Sequence, residues 1–161
     1  MTDGRSMKFR PPVLPGVILA LVLAAGLWLW RSNSGERAGE REVGEQIAIG
    51  ARLYGEHCAS CHGAQLEGQP NWRERRPDGR LPAPPHDASG HTWHHSDTQI
   101  FAITKHGMGP FAPRGYSSDM PAYAGRLADG EIRAVVDFIK STWPTDIRRR
   151  QHEINRRSAD R

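Results

Sequence analysis

Residues 58–62 read Cys58-Ala59-Ser60-Cys61-His62, and this stretch decides the fold. Two thiols three residues apart at a helix end can bond to the two vinyl groups on one porphyrin edge, and the adjacent imidazole then reaches the iron. We therefore expect one covalent haem c, with Cys58 and Cys61 as the thioether residues and His62 as the proximal iron ligand. A haem also supplies apolar surface to a chain whose hydrophobic fraction is only 37%.

The cysteine pair allows other chemistries, which the rest of the sequence disfavours. A thioredoxin-like redox pair belongs to a βαβ context. A structural zinc site needs four ligands, usually with a second close pair of Cys or His. Neither pattern is present, and one pair three residues apart is not a disulfide framework. Haem attachment is therefore the favoured interpretation.

Three helices are predicted around this stretch. From Val43 onward, apolar residues recur at helical spacing up to the first cysteine. A second helix begins at Ser96, which has capping-box spacing to the glutamine three residues later, and ends at Gly107. The third, Glu131 to Ser141, carries the clearest apolar stripe and is closed by Pro144. Because nothing between them has the pattern of a strand, the sequence predicts an all-α fold.

From Val43 to Pro144 the sequence resembles the class I c-type cytochromes. The residues that carry the likeness are Gly50-Ala51-Arg52-Leu53-Tyr54, Cys58 to Gly63, Met120-Pro121-Ala122-Tyr123, Leu127-Ala128-Asp129 and Trp143-Pro144. The resemblance implies that the first and last helices of this region cross. Gly50 then allows their close approach, and Tyr54 packs against the apolar stripe of the last helix. The implied contacts of that tyrosine are Val135 with Phe138 or Ile139.

The sixth iron position separates electron transfer from ligand chemistry. Outside the first seven residues only Met108 and Met120 could supply a thioether, a soft ligand that favours ferrous iron. Met120 lies between Asp119 and Pro121 in a polar loop, a poor place for a core-filling methionine. The class I cytochromes place their distal methionine in the corresponding loop. We therefore predict Met120 as the distal ligand, with Met108 as the alternative.

Four of the eight histidines lie within ten residues of each other: His86, His91, His94 and His95. They could hold a separate copper or zinc ion. The favoured interpretation is a loop beside the haem, in which His and Trp93 N–H groups bind the propionates. The proline-rich stretch 81–85 is expected to offer a backbone carbonyl to the second ring nitrogen of His62, which would fix the orientation of that ring.

Length and charge exclude other classes of protein. The chain of 161 residues has room for one domain with tails. Its net charge of +4 is divided unevenly, with +2 in residues 1–42, −1 in 43–145 and +3 in 146–161. Nucleic-acid binding needs a basic face on the folded domain. Since the central segment is nearly neutral, no nucleic-acid partner is expected.

An uncharged run from Val13 to Trp30 precedes the domain. At about 1.5 Å per residue it covers about 27 Å, close to the thickness of a bilayer core. Three basic residues come before it: Arg5, Lys8 and Arg10. The positive-inside rule then predicts a cytoplasmic N-terminus, with the residues after Trp30 on the other side of the membrane. A cleaved signal peptide is the alternative, but cleavage after Leu23-Ala24-Ala25 would leave an apolar mature end. We expect an uncleaved single-pass transmembrane helix in a bacterial inner membrane, with the haem domain in the periplasm.

These observations divide the chain into four segments. They are an arm and membrane anchor (1–31), a hydrophilic linker (32–42), a cytochrome c domain (43–145) and a basic tail (146–161). The tail is expected to be solvated, with docking to anionic lipid or an acidic partner as the alternative. The resemblance implies a carrier of single electrons between a redox donor and acceptor, and not an enzyme. The alternatives are a haem subunit of a larger membrane oxidoreductase, and a haem enzyme or sensor with an open sixth position.

Overall fold

A computed structural model describes residues 15–160, and within them the structure is helical with no strand. Five α-helices follow one another: α1 (Pro15–His57), α2 (Ala59–His62), α3 (Asp97–His106), α4 (Asp129–Ser141) and α5 (Thr145–Ala159). Two 3₁₀ turns lie at Thr92–His94 and Gly109–Phe111. The prediction of an all-α fold is confirmed for this part of the chain.

The chain divides into two units, residues 1–42 and 43–161. In the first unit, the large apolar side chains that the structure describes are exposed, with Trp28 and Trp30 at 68% and 67%. Within residues 15–160, no helix combines the length and the hydropathy required to cross a membrane. Val13 and the basic residues before it lie outside the described residues. The predicted linker 32–42 continues α1 as a helix; its Glu and Arg residues favour a helix, although Gly35 and Gly39 do not.

In the second unit, the C-terminal part of α1 crosses α4 at Gly50. A Cβ built on Gly50 would collide with the backbone carbonyl of Ala134, at 2.5 Å from its carbon, and would lie 2.9 Å from Phe138 Cβ. The Tyr54 ring packs one turn further on against Phe138, with 5.4 Å between the ring centroids. The helix crossing implied by the resemblance is confirmed, and glycine is the residue that permits it.

The core of this unit forms where α1, α3 and α4 meet. Its buried side chains include Leu53, Tyr54, Ile100, Ile132, Val135, Val136, Ile139 and Trp143. The predicted bounds of α3 are confirmed, because the Ser96 hydroxyl accepts the Gln99 N–H at 3.3 Å and Gly107 ends the helix with a φ of 74°. α4 begins at Asp129, and the Glu131 carboxylate accepts the Ala128 N–H at 2.8 Å. That bond is the reciprocal half of a capping box, and the Ala128 side chain cannot supply the other half, which would accept an N–H of the first turn.

The basic C-terminal segment forms α5, which packs on the domain. Ile147 and Gln151 are buried, and Gln151 Nε2 donates to Asp97 Oδ1 at 2.6 Å. Asn155 accepts the backbone N–H of Asp97 at 2.7 Å. Residues 145–159 are therefore a packed helix and not the solvated segment that the charge pattern predicted. Two isoleucines, Ile147 and Ile154, were enough in these 15 residues because polar side chains complete the contact.

Candidate haem site

The candidate haem-attachment residues occupy the one-turn helix α2 and Cys58, the residue between α1 and α2. α1 ends at His57, and the backbone carbonyl of Cys58 accepts the N–H groups of Cys61 at 3.1 Å and His62 at 2.9 Å. Gly63 then reverses the chain with a φ of 81°, a conformation that favours glycine. Both thiols are free, that of Cys58 half-buried and that of Cys61 exposed. The turn places both sulfurs and the His62 ring within one short helical segment.

His62 is held in an orientation suited to a metal ligand. Its ring is buried, and Nδ1 lies 2.8 Å from the carbonyl oxygen of Pro84. Burial lowers the pKa of His62, although the bond to Pro84 acts in the opposite direction, so the ring is neutral near pH 7. When Nδ1–H donates to that carbonyl, the lone pair of Nε2 is free for iron. The expected carbonyl from residues 81–85 is thus confirmed and identified as that of Pro84.

The Cys58 thiol does not have the character of a redox nucleophile. Burial, together with the neighbouring Cys61, raises the pKa of Cys58 to about 11. Catalytic thiols in Cys-X-X-Cys sites have lowered pKa values, because the thiolate is the reactive species. The environment of Cys58 therefore disfavours thiol–disulfide chemistry.

His86 stacks directly on the proximal ligand candidate. The rings of His86 and His62 are 4.0 Å apart between centroids with an interplanar angle of 21°. His86 Nδ1 lies 2.7 Å from the Thr92 hydroxyl, and Trp143 Nε1 donates to the His86 carbonyl at 2.7 Å. Burial and the nearby imidazoles of His62 and His91 lower the pKa of His86 well below its usual value. A neutral His86 can therefore pack against His62 without charge repulsion.

Two of the other three histidines of this stretch stack on tryptophans, and the third, His95, lies edge-on to His91. His91 stacks on Trp72 with 5.4 Å between centroids, and His94 stacks on Trp93 at 3.6 Å. Within the described part of the chain, no three His, Cys, Asp or Glu side chains gather as a metal-binding group. A second metal site at residues 86–95 therefore has no support among the described residues.

Two buried donors match the acceptors that a haem would bring. Trp93 Nε1 and Arg76 Nε are buried and have no hydrogen-bond partner among the described residues. For Arg76 Nε, a carboxylate oxygen of Asp78 lies at 3.9 Å, beyond hydrogen-bond range. A buried donor without a partner costs about 1–3 kcal/mol, and a propionate carboxylate would satisfy it. These donors, the free thiols and the oriented His62 fit a covalent haem.

The Met120 segment lies beside the attachment turn. The Tyr123 hydroxyl donates to the carbonyl of His57 at 2.6 Å, which ties the segment to the residue before Cys58. Met120 is half-buried, and its backbone N–H donates to the Ser118 hydroxyl at 3.1 Å. Met108 is also half-buried and precedes the second 3₁₀ turn. The assignment of Met120 as distal ligand stays a prediction.

The family model for cytochrome c matches residues 47–143 of this chain, which is more than half of it. The chain belongs to the cytochrome c family. It is an electron-transfer haem protein, and its haem c is bound covalently. No curated protein matches the chain, and no solved structure does. The family match ends at Trp143, so residues 1–46 and helix α5 lie outside it.

Sequence reasoning missed two features of the site in this cytochrome. It grouped His86 with the propionate-binding histidines, whereas the ring packs on His62. It also gave no role to Arg76, because an arginine in a polar loop carries no periodic signal. The sequence predicts Trp93 as a propionate donor, and its buried N–H, which has no partner among the described residues, agrees with that expectation. Only three-dimensional proximity could have separated His86 from its neighbours.

Proposed function

We propose that this cytochrome is a membrane-anchored monohaem carrier that passes single electrons between exported or membrane-bound redox partners. The observation that carries the proposal is the attachment turn, in which His62 is buried and its ring is oriented by the Pro84 carbonyl. In this proposal Cys58 and Cys61 form the thioethers, His62 is the proximal iron ligand and Met120 is the distal one. The haem supplies a reversible one-electron couple, and the protein sets its potential and access.

A carrier is favoured over an enzyme or sensor. Outer-sphere electron transfer needs only a haem edge close to the surface, and the exposed Cys61 supports such an edge. An iron-bound substrate would need polar side chains above an open iron position. The four histidines of the stretch 86–95 are the candidates for that role. The rings of His86, His91 and His94 stack on His62, Trp72 and Trp93, and His95 lies edge-on to His91. Their engagement in packing supports the proposal that the protein is not an enzyme.

The anchor is part of the proposal. Its support is the uncharged run Val13 to Trp30, the three basic residues before it and the exposure of its described apolar side chains. Such side chains are stable in lipid and costly in water. The proposed location is the bacterial inner membrane, with one span and a periplasmic haem domain.

A haem subunit of a larger membrane oxidoreductase is the second candidate. Its support is the basic surface of α5, which carries five arginines: Arg148, Arg149, Arg150, Arg156 and Arg157. In the residues that the structure describes, none of the five pairs with a carboxylate. Purification in a mild detergent distinguishes the two candidates, because a subunit should stay with other polypeptides at high salt and a carrier should not.

The carrier proposal is tested by rapid mixing of the reduced protein. We expect fast oxidation by a small one-electron acceptor, together with negligible carbon monoxide binding and peroxide turnover at neutral pH. Rapid carbon monoxide binding by the unmutated protein would instead indicate an open sixth position and an enzyme or sensor.

The anchor is tested by fractionation and N-terminal sequencing of the mature protein. It should sediment with membranes, resist extraction by high salt and retain the residues before Val13. A soluble mature protein that begins near Gly26 would show that the segment is a cleaved signal peptide.

A further inference from the structure

Two surface loops of the haem domain are joined through one carboxylate. The guanidinium groups of Arg76 and Arg80 both bind Asp119, one at each carboxylate oxygen. Arg80 Nε also donates to the Ser117 hydroxyl at 3.2 Å. Arg76 and Asp119 are 43 residues apart in sequence, so the contact closes a long loop. We call Arg76, Arg80 and Asp119 the Asp119 clamp.

The two arginines are arranged for this contact by a turn of their own backbone. The Arg76 N–H donates to the carbonyl of Arg80 at 2.9 Å, and the Gly79 N–H donates to the carbonyl of Arg76 at 2.8 Å. Gly79 has a φ of 78°, which a residue with a Cβ rarely adopts. Asp78 Oδ1 accepts the Arg80 N–H at 3.0 Å. The hydrogen bonds of this turn lie within residues 76–80 and do not involve Asp119, so the turn itself brings both guanidinium groups to one carboxylate.

The clamp holds one end of the segment that carries Met120. The other end is fixed on α3, because the N–H groups of Tyr123 and Ala124 donate to the carbonyls of Thr104 and Lys105 at 3.2 and 2.8 Å. Among the described residues, the hydrogen bonds that tie residues 108–119 to a distant part of the chain are those to Arg76 and Arg80. Met120 therefore lies between a backbone attachment and a side-chain attachment.

We propose that the Asp119 clamp positions Met120 as the sixth iron ligand and keeps the iron closed to external ligands. The inference rests on the proposed role of Met120. A thioether is a neutral, soft ligand, so its occupancy of the iron depends on how far its loop can move away. Freeing the 117–120 end of the segment raises the population in which Met120 has left the iron. Arg76, Arg80 and Asp119 are thus positioning residues.

The expected size of the effect follows from the geometry of the clamp. An isolated exposed ion pair contributes little to stability. Here two guanidiniums share one carboxylate, and their turn is already formed, so the ordering cost is reduced. We expect loss of the clamp to raise the population with a vacant sixth position by about three- to tenfold.

Asp119→Asn is the test, because it keeps the shape of the side chain and removes its charge. Asp129→Asn is the matched control: Asp129 is an exposed carboxylate bound by Lys105 Nζ at 2.7 Å, whereas Lys105 holds the other end of the segment through its backbone carbonyl and not through that side chain. Three quantities are measured on the holoprotein. They are the sulfur-to-iron band of the ferric form, the carbon monoxide binding rate of the ferrous form, and hydrogen exchange of the peptide covering residues 117–124.

For Asp119→Asn we expect a weakened sulfur-to-iron band, carbon monoxide binding about three- to tenfold faster, and faster exchange in residues 117–124. Asp129→Asn should match the unmutated protein in all three. A general loss of stability would not produce this pattern, because it would not act on the iron ligand selectively.

Met120→Ala, measured in parallel, separates the two ways to fail. If Met120→Ala keeps the band, Met108 is the ligand, and the proposed role of Met120 and the clamp both lose their basis, while the carrier function stands. If Met120→Ala loses the band but Asp119→Asn behaves like Asp129→Asn, the clamp is refuted and the role of Met120 stands. Should Asp119→Asn yield no holoprotein, Arg80→Gln removes one arm of the clamp and should give a smaller change in the same direction. No change in Arg80→Gln would also refute the clamp.

Discussion

Replacement of Gly50 by alanine tests the helix crossing on which the haem domain is built. The new Cβ would lie 2.5 Å from the carbonyl carbon of Ala134 and 2.9 Å from Phe138 Cβ, whereas carbon atoms in contact are normally about 3.5–4.0 Å apart. α1 and α4 must therefore separate by about 1 Å at this point. The obstacle is mainly backbone, so it cannot rotate away.

The expected free-energy change is the sum of two opposing effects. Overpacking of a well-packed contact costs about 1–3 kcal/mol, occasionally more. The higher helix propensity of alanine returns up to about 1 kcal/mol. Because a helix displaced by about 1 Å also loses dispersion energy with its neighbours, we expect Gly50→Ala to lower the free energy of unfolding by about 1–3 kcal/mol.

Gly55 provides the matched control, because it lies in the same helix and has no atom within 4 Å of its added Cβ. Gly55→Ala should raise the free energy of unfolding by about 0.5–1 kcal/mol through helix propensity alone. Denaturant unfolding of both holoproteins, followed by far-ultraviolet circular dichroism, measures the difference, expected at about 1.5–4 kcal/mol. Equal stability of the two variants would refute the close crossing of α1 and α4.

Two further predictions concern α5 and its contact with Asp97. Ile147→Ala should lower the free energy of unfolding by about 2–4 kcal/mol, because it leaves a cavity beneath α5. Replacement of the exposed Arg149 by alanine should change it by less than about 0.5 kcal/mol. Equal effects of the two variants in thermal unfolding would contradict the packing of α5. Burial raises the pKa of Asp97, but bonds from Lys140 and Gln151 outweigh it and lower the pKa overall. Because the folded pKa is below the unfolded one, the stabilisation is present above about pH 4 and is lost as pH falls through the folded value. The free energy of unfolding should therefore fall less steeply with decreasing pH in Asp97→Asn than in the unmutated protein. An unchanged pH dependence in acid would exclude this contribution of Asp97.

The parts of the structure that follow from local sequence patterns could be predicted. The cap at Ser96, the ending of α3 at Gly107 and the stripe of α4 each depend on residues within one or two turns of each other. The attachment turn is equally local, since its chemistry lies within five consecutive residues. The Gly50 crossing is a long-range contact, and it came from the resemblance to a family rather than from periodicity.

The rest could not be predicted, because it depends on pairs far apart in sequence. His86 stacks on His62 across 24 positions, and no spacing rule relates the two. The Asp119 clamp joins residues about 40 positions apart through exposed charges, and sequence reasoning treats exposed charges as solvated. The prediction that the α5 segment is solvated was wrong for the same reason. Its high charge dominates the sequence pattern, although Ile147 and Gln151 lie on one buried face of the helix.

Asp97 explains why α5 belongs to the haem domain although it lies beyond the family match. Its carboxylate receives Lys140 Nζ from α4 at 2.6 Å and Gln151 Nε2 from α5 at 2.6 Å. Its backbone N–H, one of the unpaired donors at the start of α3, donates to Asn155. α5 therefore completes the N-terminus of α3, directly after the turn that carries Trp93. Removal of α5 would take away hydrogen-bond partners from the Asp97 carboxylate and from its backbone N–H at the start of α3. Both lie close in sequence to Trp93, the predicted propionate donor. The functional unit therefore extends to residue 159.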